Sequence, residues 1–366
     1  MASPTLERAA TAIPPRMRAL LLTGPEAFHL DEVPTPQPGP REVLCRVEAV
    51  GICGTDPHII EGRFPGRWPK RYPFIPGHEW SGTVVALGEG AELFGWQVGD
   101  RVAGTSHAGC GYCRMCTTGR YNLCDNYGRE EVHRQYGHYS QGAYAQYVVH
   151  SIKSVFKIPP TMSLDEAALV DPASIALHSV KRGEPNPGDT VAVLGPGAVG
   201  LLTAQCADAV GAGRVLVVGH GPRLAKVREL GFEAIDYDAG DPVQAVRAAT
   251  GGRGVDMAID TAGTALAIRQ AIDMTRKGGR VVFTGVPLEP VEMPMQKIVL
   301  EELDLYGVRA NRNTCDEVIA LMARGRVRAQ PLITHRFPLT RFAEAYDTFV
   351  HRKGGALKVL VKPNEE

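Results

Sequence analysis

Residues Val191-Ala-Val-Leu-Gly195-Pro-Gly197-Ala-Val199-Gly200-Leu-Leu-Thr-Ala-Gln205 read as one unit. An apolar run leads straight into Gly-x-Gly-x-x-Gly, which leads straight into an Ala- and Leu-rich helical stretch, the strand-loop-helix order of a dinucleotide-binding βαβ unit. In such a unit Gly195 makes the tight turn, Gly197 lets the backbone approach a pyrophosphate, and Gly200, after Val199, lets helix and strand pack closely. The helix N-terminus then faces the phosphate charge. The same glycines could serve a merely structural turn, but the flanking strand and helix favour the nucleotide. Around this unit, apolar strands (Thr190–Leu194, Arg214–Val218) are separated by helical stretches (Val199–Val210, Pro222–Leu230, Pro242–Thr250, Thr264–Met274). Continuous apolar strands alternating with helices predict a doubly wound parallel sheet, a Rossmann domain over residues 163–305 within an α/β chain.

Upstream the pattern is different. Residues 1–16 read as a loose tail, and residues 17–162 carry short β-like runs (Met17–Leu22, Glu42–Val50, Trp80–Leu87, Arg101–Gly104, Ala143–Val149) broken by Gly/Pro turns, an irregular β-rich domain. After residue 305 a helix (Cys315–Arg324) and a final strand (Leu357–Val361) follow, so residues 306–366 are expected to complete that first domain. The 366-residue length suits two domains, each with its own core. Forty basic residues against 40 acidic ones give no electrostatic reason to expect nucleic acid or a membrane surface. Nowhere do roughly 18 apolar residues run uninterrupted, and the start lacks the pattern of a secretion signal, so a cytoplasmic protein is expected.

Eight cysteines in such a chain are expected to be reduced, and clustering among them points to metal. Cys110, Cys113, Cys116 and Cys124 are spaced to close a tetrahedron around Zn²⁺, leaving no open position, which makes a structural site. Cys53 and His78 supply one thiolate and one imidazole, an incomplete set suited to a catalytic zinc that keeps a place for substrate. Cys45, Cys206 and Cys315 have no such partners and are expected in the core.

The motifs Gly51-Ile-Cys53-Gly-Thr55-Asp56-Pro-His58, Pro76-Gly-His78-Glu79, the four-cysteine run and the Gly-rich loop, in this order, resemble the zinc-dependent medium-chain alcohol dehydrogenase family, in its polyol, sorbitol and threonine dehydrogenase-like branch. The resemblance implies a GroES-like catalytic domain beside the Rossmann domain, one catalytic and one structural Zn²⁺, NAD(P), and a homodimer or homotetramer. It implies a hydride transfer from a secondary alcohol to the nicotinamide, with Thr55 and His58 relaying the proton, Glu79 at the inner side of the metal and Asp56 orienting the histidine ligand. Asp171, in Asp171-Pro172, stands where the family places its third zinc ligand, although it could instead cap a helix, and Glu79 is a rival for the same role. Ser106, followed by His107, stands at a pocket position, and its small polar side chain favours a polyol, sugar or cyclitol; Arg309, Asn311 and Arg312 could reach the same pocket. At the end of the second cofactor strand, where NAD-specific sites usually carry an acid, stands Gly219. With His220 and Arg223 beside it, NADP is allowed and slightly favoured. A zinc-free enone or quinone reductase of the same superfamily and a non-catalytic nucleotide-binding protein are the alternative readings.

Overall fold

The computed structural model describes residues 12–64, 66 and 68–366, so most of the expected N-terminal tail lies outside the described residues. The chain opens with an antiparallel pair, β1 (Arg16–Gly24) and β2 (Ala27–Pro34). There follow β3 (Glu42–Gly51), β4 (Glu79–Leu87), β5 (Arg101–Gly104), the short β6 (His107–Ala108) and β7 (Arg134–Gln135), β8 (Tyr147–Ser151) and β9 (Val155–Lys157). The second half holds β10 (Thr190–Leu194), β11 (Arg214–Gly219), β12 (Glu233–Asp236), β13 (Val255–Asp260), β14 (Thr275–Phe283) and β15 (Asp304–Gly307), and the chain closes with β16 (Ile333–Pro338) and β17 (Lys358–Lys362).

Strands β10 to β15 form one parallel sheet in the order β12-β11-β10-β13-β14-β15, which reverses direction of travel beside β10. Open sheets of this kind bind ligands at that reversal, outside the carboxyl ends of the strands. The connecting helices stand at Ala198–Ala209, Arg223–Glu229, Pro242–Ala249 and Ala265–Met274, within a residue or so of the pattern in the sequence. Their apolar faces bury Leu201, Leu202, Leu224 and Val227 on one side of the sheet and Val246, Ile268 and Ile272 on the other. Strands buried on both faces explain the unbroken apolar runs.

The other large sheet runs β16-β17-β3-β4-β5-β9, with β8 also paired to β3. Its core contains Leu20, Leu22, Val43, Trp80, Tyr144 and Phe342, all but fully buried. Strand β17 reaches this sheet from the far end of the sequence and pairs antiparallel with β3 through Leu360↔Gly51 and Val361↔Val50. Between the two sheets lies the helix Val170–Arg182, whose first ten residues are all buried except Ile175. It shares one core with Ala49 and Ala103 of the first sheet, with Val191 and Val193 of the second, and with Leu201 of the helix Ala198–Ala209.

A small lobe projects from the first domain between β6 and β7. The short helix Arg114–Thr117 is capped by the Cys113 sulfur, which accepts from Cys116 N. Cys110 Sγ lies 3.9 Å from Cys116 Sγ, and Cys113 Sγ lies 3.8 Å from Cys124 Sγ. Tyr112 N and Cys113 N donate to Cys110 Sγ and Asp125 N to Cys113 Sγ, each at 3.4 Å. Ligand sulfurs about 2.3 Å from a tetrahedral zinc stand about 3.8 Å apart. The four sulfurs therefore have the spacing of a closed, structural zinc site, and backbone N–H groups point at them as thiolates require.

Two tests follow from these contacts. A Cβ on Gly200 would stand 1.8 Å from Gly195 O, so Gly200→Ala must push the helix Ala198–Ala209 off the loop. A loss of about 1–3 kcal/mol or more in denaturant unfolding is expected, together with weakened NAD(P) binding. Cys113→Ser is expected to lose one zinc per chain by elemental analysis and to lower the melting temperature by roughly 5 °C or more. An unchanged zinc content and melting curve would refute the assignment of the lobe.

Candidate functional site

The loop after β3 delivers Cys53, and Pro57 in the following short helix, Asp56–Ile60, fixes the turn that Thr55 begins. Asp56 is fully buried, accepts from Cys53 N at 2.9 Å and from Tyr144 OH at 2.7 Å, and sets its other oxygen 3.6 Å from His78 Nδ1. That arrangement holds the imidazole with Nδ1 toward the carboxylate. His78 ends the loop before β4, and Glu79 is the first residue of that strand, paired in register with Gly51. One donor atom each from Cys53, His78 and Glu79 lies within 4.8 Å of the others. A thiolate, an imidazole and a carboxylate on three sides of one point fit a zinc that keeps a fourth position open.

Asp171, the residue expected as third ligand, stands outside this group of three. It lies in the first turn of the helix Val170–Arg182, buried, with Oδ1 accepting from Asn311 Nδ2 at 3.1 Å and from Ser106 N at 3.4 Å. These donors fix its carboxylate near the trio, with His78 and Glu79 among its charged neighbours. The cap residue of the helix is Leu169, which makes no side-chain bond. Burial pushes the Asp171 carboxyl up to about 7, with Glu79 raising it further against the pull of His78. Glu79 in turn is paired with Lys358 of β17, whose ammonium also donates to Ile52 O at 3.0 Å. Burial alone would lower the Lys358 pKa, and the Glu79 carboxylate more than offsets it.

The two relay candidates sit at different depths. Thr55 Oγ1 is buried without a hydrogen-bond partner, whereas His58 is half-exposed with Nδ1 3.8 Å from Glu61 Oε2. On the substrate side Ser106 Oγ lies 2.8 Å from His107 Nδ1, both residues buried. Beyond them the fold gathers Trp68, Tyr127, His133, His138 and Tyr139, none of which the sequence singles out. The His138 ring lies 4.6 Å from the His78 ring, and the Arg309 guanidinium lies 4.0 Å over Tyr127. Burial, with Arg309 next in effect, lowers His107 to about 3 and His133 to about 4, so both are neutral hydrogen-bonding groups at pH 7. His107 Nε2, His133 Nε2 and Trp68 Nε1 are buried and unpartnered. Of the three later polar residues, Arg309 overlies this cluster, Asn311 holds Asp171, and Arg312 donates instead to Gly119 O of the lobe at 3.3 Å.

In the cofactor cleft Gly195 has φ +106°, the left-handed backbone that only glycine adopts freely. Gly197 caps the helix Ala198–Ala209, and a Cβ there would meet nothing closer than Arg223 Nη1 at 3.9 Å, so its open face is available to a ligand. Val199 lies in the first turn and accepts from Thr203 Oγ1. At Gly219 a Cβ would strike the Pro196 ring at 2.4 Å. The Gly-rich loop itself thus fills the space that a side chain at the strand end would take. Arg223 is turned toward the other domain, donating to Ala356 O at 2.9 Å. His220 stacks on Tyr237 at 4.6 Å and lies 3.5 Å from Asp238 Oδ2, an acidic neighbour on the adjacent strand end.

With this geometry in hand the comparisons with known proteins are specific. Residues 39–160 match the model of the alcohol dehydrogenase GroES-like domain, and residues 198–324 match that of zinc-binding dehydrogenases. Sorbitol dehydrogenase of Bacillus subtilis (strain 168) is 34% identical over 357 residues, covering 96% of this chain and 99% of the relative. Among solved structures, a candidate zinc-binding dehydrogenase of Sinorhizobium meliloti 1021 bound to NADP superposes with a TM-score of 0.87 at 33% identity, covering 95% of this chain and 99% of that one. An alcohol dehydrogenase of Escherichia coli CFT073 complexed with NADH gives 0.86 at 31% identity, covering 95% and 100%. The paired domains, the closed four-cysteine lobe and the Gly-rich cofactor loop agree with these matches along almost the whole described chain, which belongs to the polyol branch of the zinc-dependent medium-chain alcohol dehydrogenase family.

Proposed function

We propose that this NAD(P)-dependent alcohol dehydrogenase oxidises a secondary hydroxyl of a polyol, sugar or cyclitol, with zinc held by Cys53, His78 and Glu79. The observation that carries the reading is the convergence of these three donors beside a wall of neutral polar groups, Ser106, His107 and His133, rather than an apolar slot. Polyhydroxylated substrates leave several hydroxyls to be paired, and a site with buried unpaired donors discriminates strongly in favour of a partner that pairs them. The sorbitol dehydrogenase of Bacillus subtilis, 34% identical, supports the same substrate class.

When bound, zinc would polarise the alcohol oxygen while the nicotinamide accepts the hydride. The chain's own part is positional. Asp56 and Tyr144 fix the orientation of His78, and Asp171 presents a second carboxylate at the edge of the trio, able to take a hydrogen bond from substrate. Thr55, inside, accepts the proton released from the alcohol as it gives its own hydroxyl proton toward His58, half-exposed in the helix that follows, which passes one to solvent. Gly195 and Gly197, at the N-terminus of the helix Ala198–Ala209, would hold the pyrophosphate, and Gly200 lets the helix close onto the loop. At the adenosine end Gly219 leaves no carboxylate on β11 to repel a 2′-phosphate, and the side chains that could meet one are His220, 3.5 Å from Asp238 Oδ2, and Arg223, whose Nη1 lies 3.9 Å from where a Cβ on Gly197 would stand. A slight preference for NADP with use of both cofactors follows, and the NADP- and NADH-bound relatives are compatible with it. Among the described residues no helix is long and apolar enough to cross a membrane. We place the protein in the cytoplasm as a homodimer or homotetramer.

The direct test is a screen of polyols, sugars, cyclitols and simple aliphatic alcohols with each cofactor, together with dissociation constants for NAD and NADP from protein fluorescence. Polyols are expected to exceed aliphatic alcohols in kcat/KM by at least tenfold, about 1.4 kcal/mol of differential stabilisation, and His220→Ala should weaken NADP more than NAD. Equal turnover of both alcohol classes would remove the polyol reading. For the metal, Glu79→Gln is expected to leave one zinc per chain, while Asp171→Asn keeps two and mainly raises KM for the polyol. The opposite pattern would return Asp171 to the role of third ligand.

A further inference from the structure

The segment 309–313 crosses from the end of the cofactor sheet to the C-terminal part of the first domain, and it does so in a costly conformation. Ala310 has φ +50° and Asn313 has φ +52°, both in the left-handed region that residues with a Cβ seldom occupy. Such backbone persists only where surrounding contacts over-determine it. Here most of those contacts come from the four-cysteine lobe. Asn122 Nδ2 donates to Arg309 O at 2.7 Å, Tyr121 OH donates to Asn311 Oδ1 at 2.9 Å, and Asn313 N donates to Tyr121 OH at 3.2 Å. Arg312 Nε and Asn313 Nδ2 both donate to Gly119 O, at 3.3 and 3.2 Å. On its other side the segment touches the site. Asn311 is fully buried and its amide donates to Asp171 Oδ1 at 3.1 Å, while Ala310 O lies 2.7 Å from His178 Nδ1 on the same helix. The Arg309 side chain lies over Tyr127.

We propose that Tyr121 and Asn311 are positioning residues that carry the order of the four-cysteine lobe into the substrate pocket: the lobe clamps segment 309–313, and the clamp fixes Asp171 and Arg309 relative to the trio. The amide of Asn311 is the link, since its oxygen is held by the lobe and its nitrogen holds Asp171. With the Tyr121 hydroxyl removed the amide loses its fixed orientation, and a carboxylate that must meet one substrate hydroxyl in one geometry is left free to swing. The lobe thus acts on substrate recognition from outside the pocket, through a chain of three hydrogen-bonded side chains. This rests on the polyol reading above for its kinetic arm, but not for its structural arm.

Tyr121→Phe removes one hydroxyl and no zinc ligand, so the lobe is expected to keep its metal and the protein two zincs per chain. The amides of residues 309–313 are expected to exchange hydrogen at least tenfold faster in the variant, read by mass spectrometry on the whole protein. KM for the best polyol from the screen should rise about tenfold with kcat within threefold, and the dissociation constant of the nicotinamide cofactor should not move. If the effect travels through Asp171, Tyr121→Phe should add nothing to KM in an Asp171→Asn background, because coupled residues are non-additive. Unchanged exchange, an unchanged KM, or full additivity with Asp171→Asn would each overturn the proposal. A protein that turns over no polyol would sink the functional reading instead, and the exchange result alone would then decide whether the clamp exists.

Discussion

The carboxylate of Glu79 and the ammonium of Lys358, both all but wholly buried, form the pair on which the rest of the site depends. Two charges in an apolar interior are tolerated only together, and removing one partner of such a pair typically costs about 3–5 kcal/mol. The pair therefore dictates where the last strand must lie. It joins β17 to the first residue of β4 and, through Ile52 O, to the loop that presents Cys53. The loop that carries Cys53, the strand end that carries Glu79 and the last strand are thereby held as one piece. The helix Val170–Arg182 then packs against that piece and against the cofactor sheet, so the cleft between the domains inherits its geometry.

What could be read directly in the sequence is what depends on neighbours in sequence. The Gly-x-Gly-x-x-Gly loop, its strand and its helix are a local device, and Gly200 meets Gly195 only five residues away. The four-cysteine lobe is equally local, since Cys110 to Cys124 spans a single turn-rich excursion. The position of Asp171 is a different kind of problem. Which groups hold a buried carboxylate is decided by the fold, and those that hold Asp171 are Ser106 and Asn311, the latter 140 residues further on. Arg223 shows the same limit, for its place beside the cofactor strand is local whereas its bond to Ala356 O, 133 residues away, is set by the fold. The cluster of Tyr127, His133 and Tyr139 carries no periodicity and no motif, because an irregular loop packs its side chains by shape and not by repeat.

The polar character of that cluster bears on both domains. Burial keeps its histidines neutral, so they act as hydrogen-bonding groups without bringing net charge into the pocket, and the cation at its mouth is Arg309. The first domain thus holds the metal donors and most of the pocket wall, the cofactor domain holds the nucleotide loop, and residues 309–313 tie the two together. At the adenosine end Pro196 occupies the place beside Gly219, so nucleotide selectivity there falls to residues beyond the strand end.

The route of the chain through the first sheet also has a consequence for how the molecule is made. Strands β10 to β15 are contiguous in sequence, so every strand of the cofactor sheet has been made once Gly307 is added, and the core on one of its faces is then completed by Val318, Ile319, Met322 and Leu332 shortly after. The catalytic sheet does not. Its strand β3 waits for a neighbour more than 300 residues downstream, and until β17 arrives Glu79 lacks Lys358 and the Val50–Gly51 end of β3, beyond its pairing with β8, is an open edge. Long-range pairings of this kind are slow to form, and unpaired edges invite association with other chains. The nascent protein therefore passes through a stage with all strands of the cofactor sheet made and the catalytic sheet still lacking β17. A chain shortened by even its last nine residues would be arrested there, because it would end before Lys358.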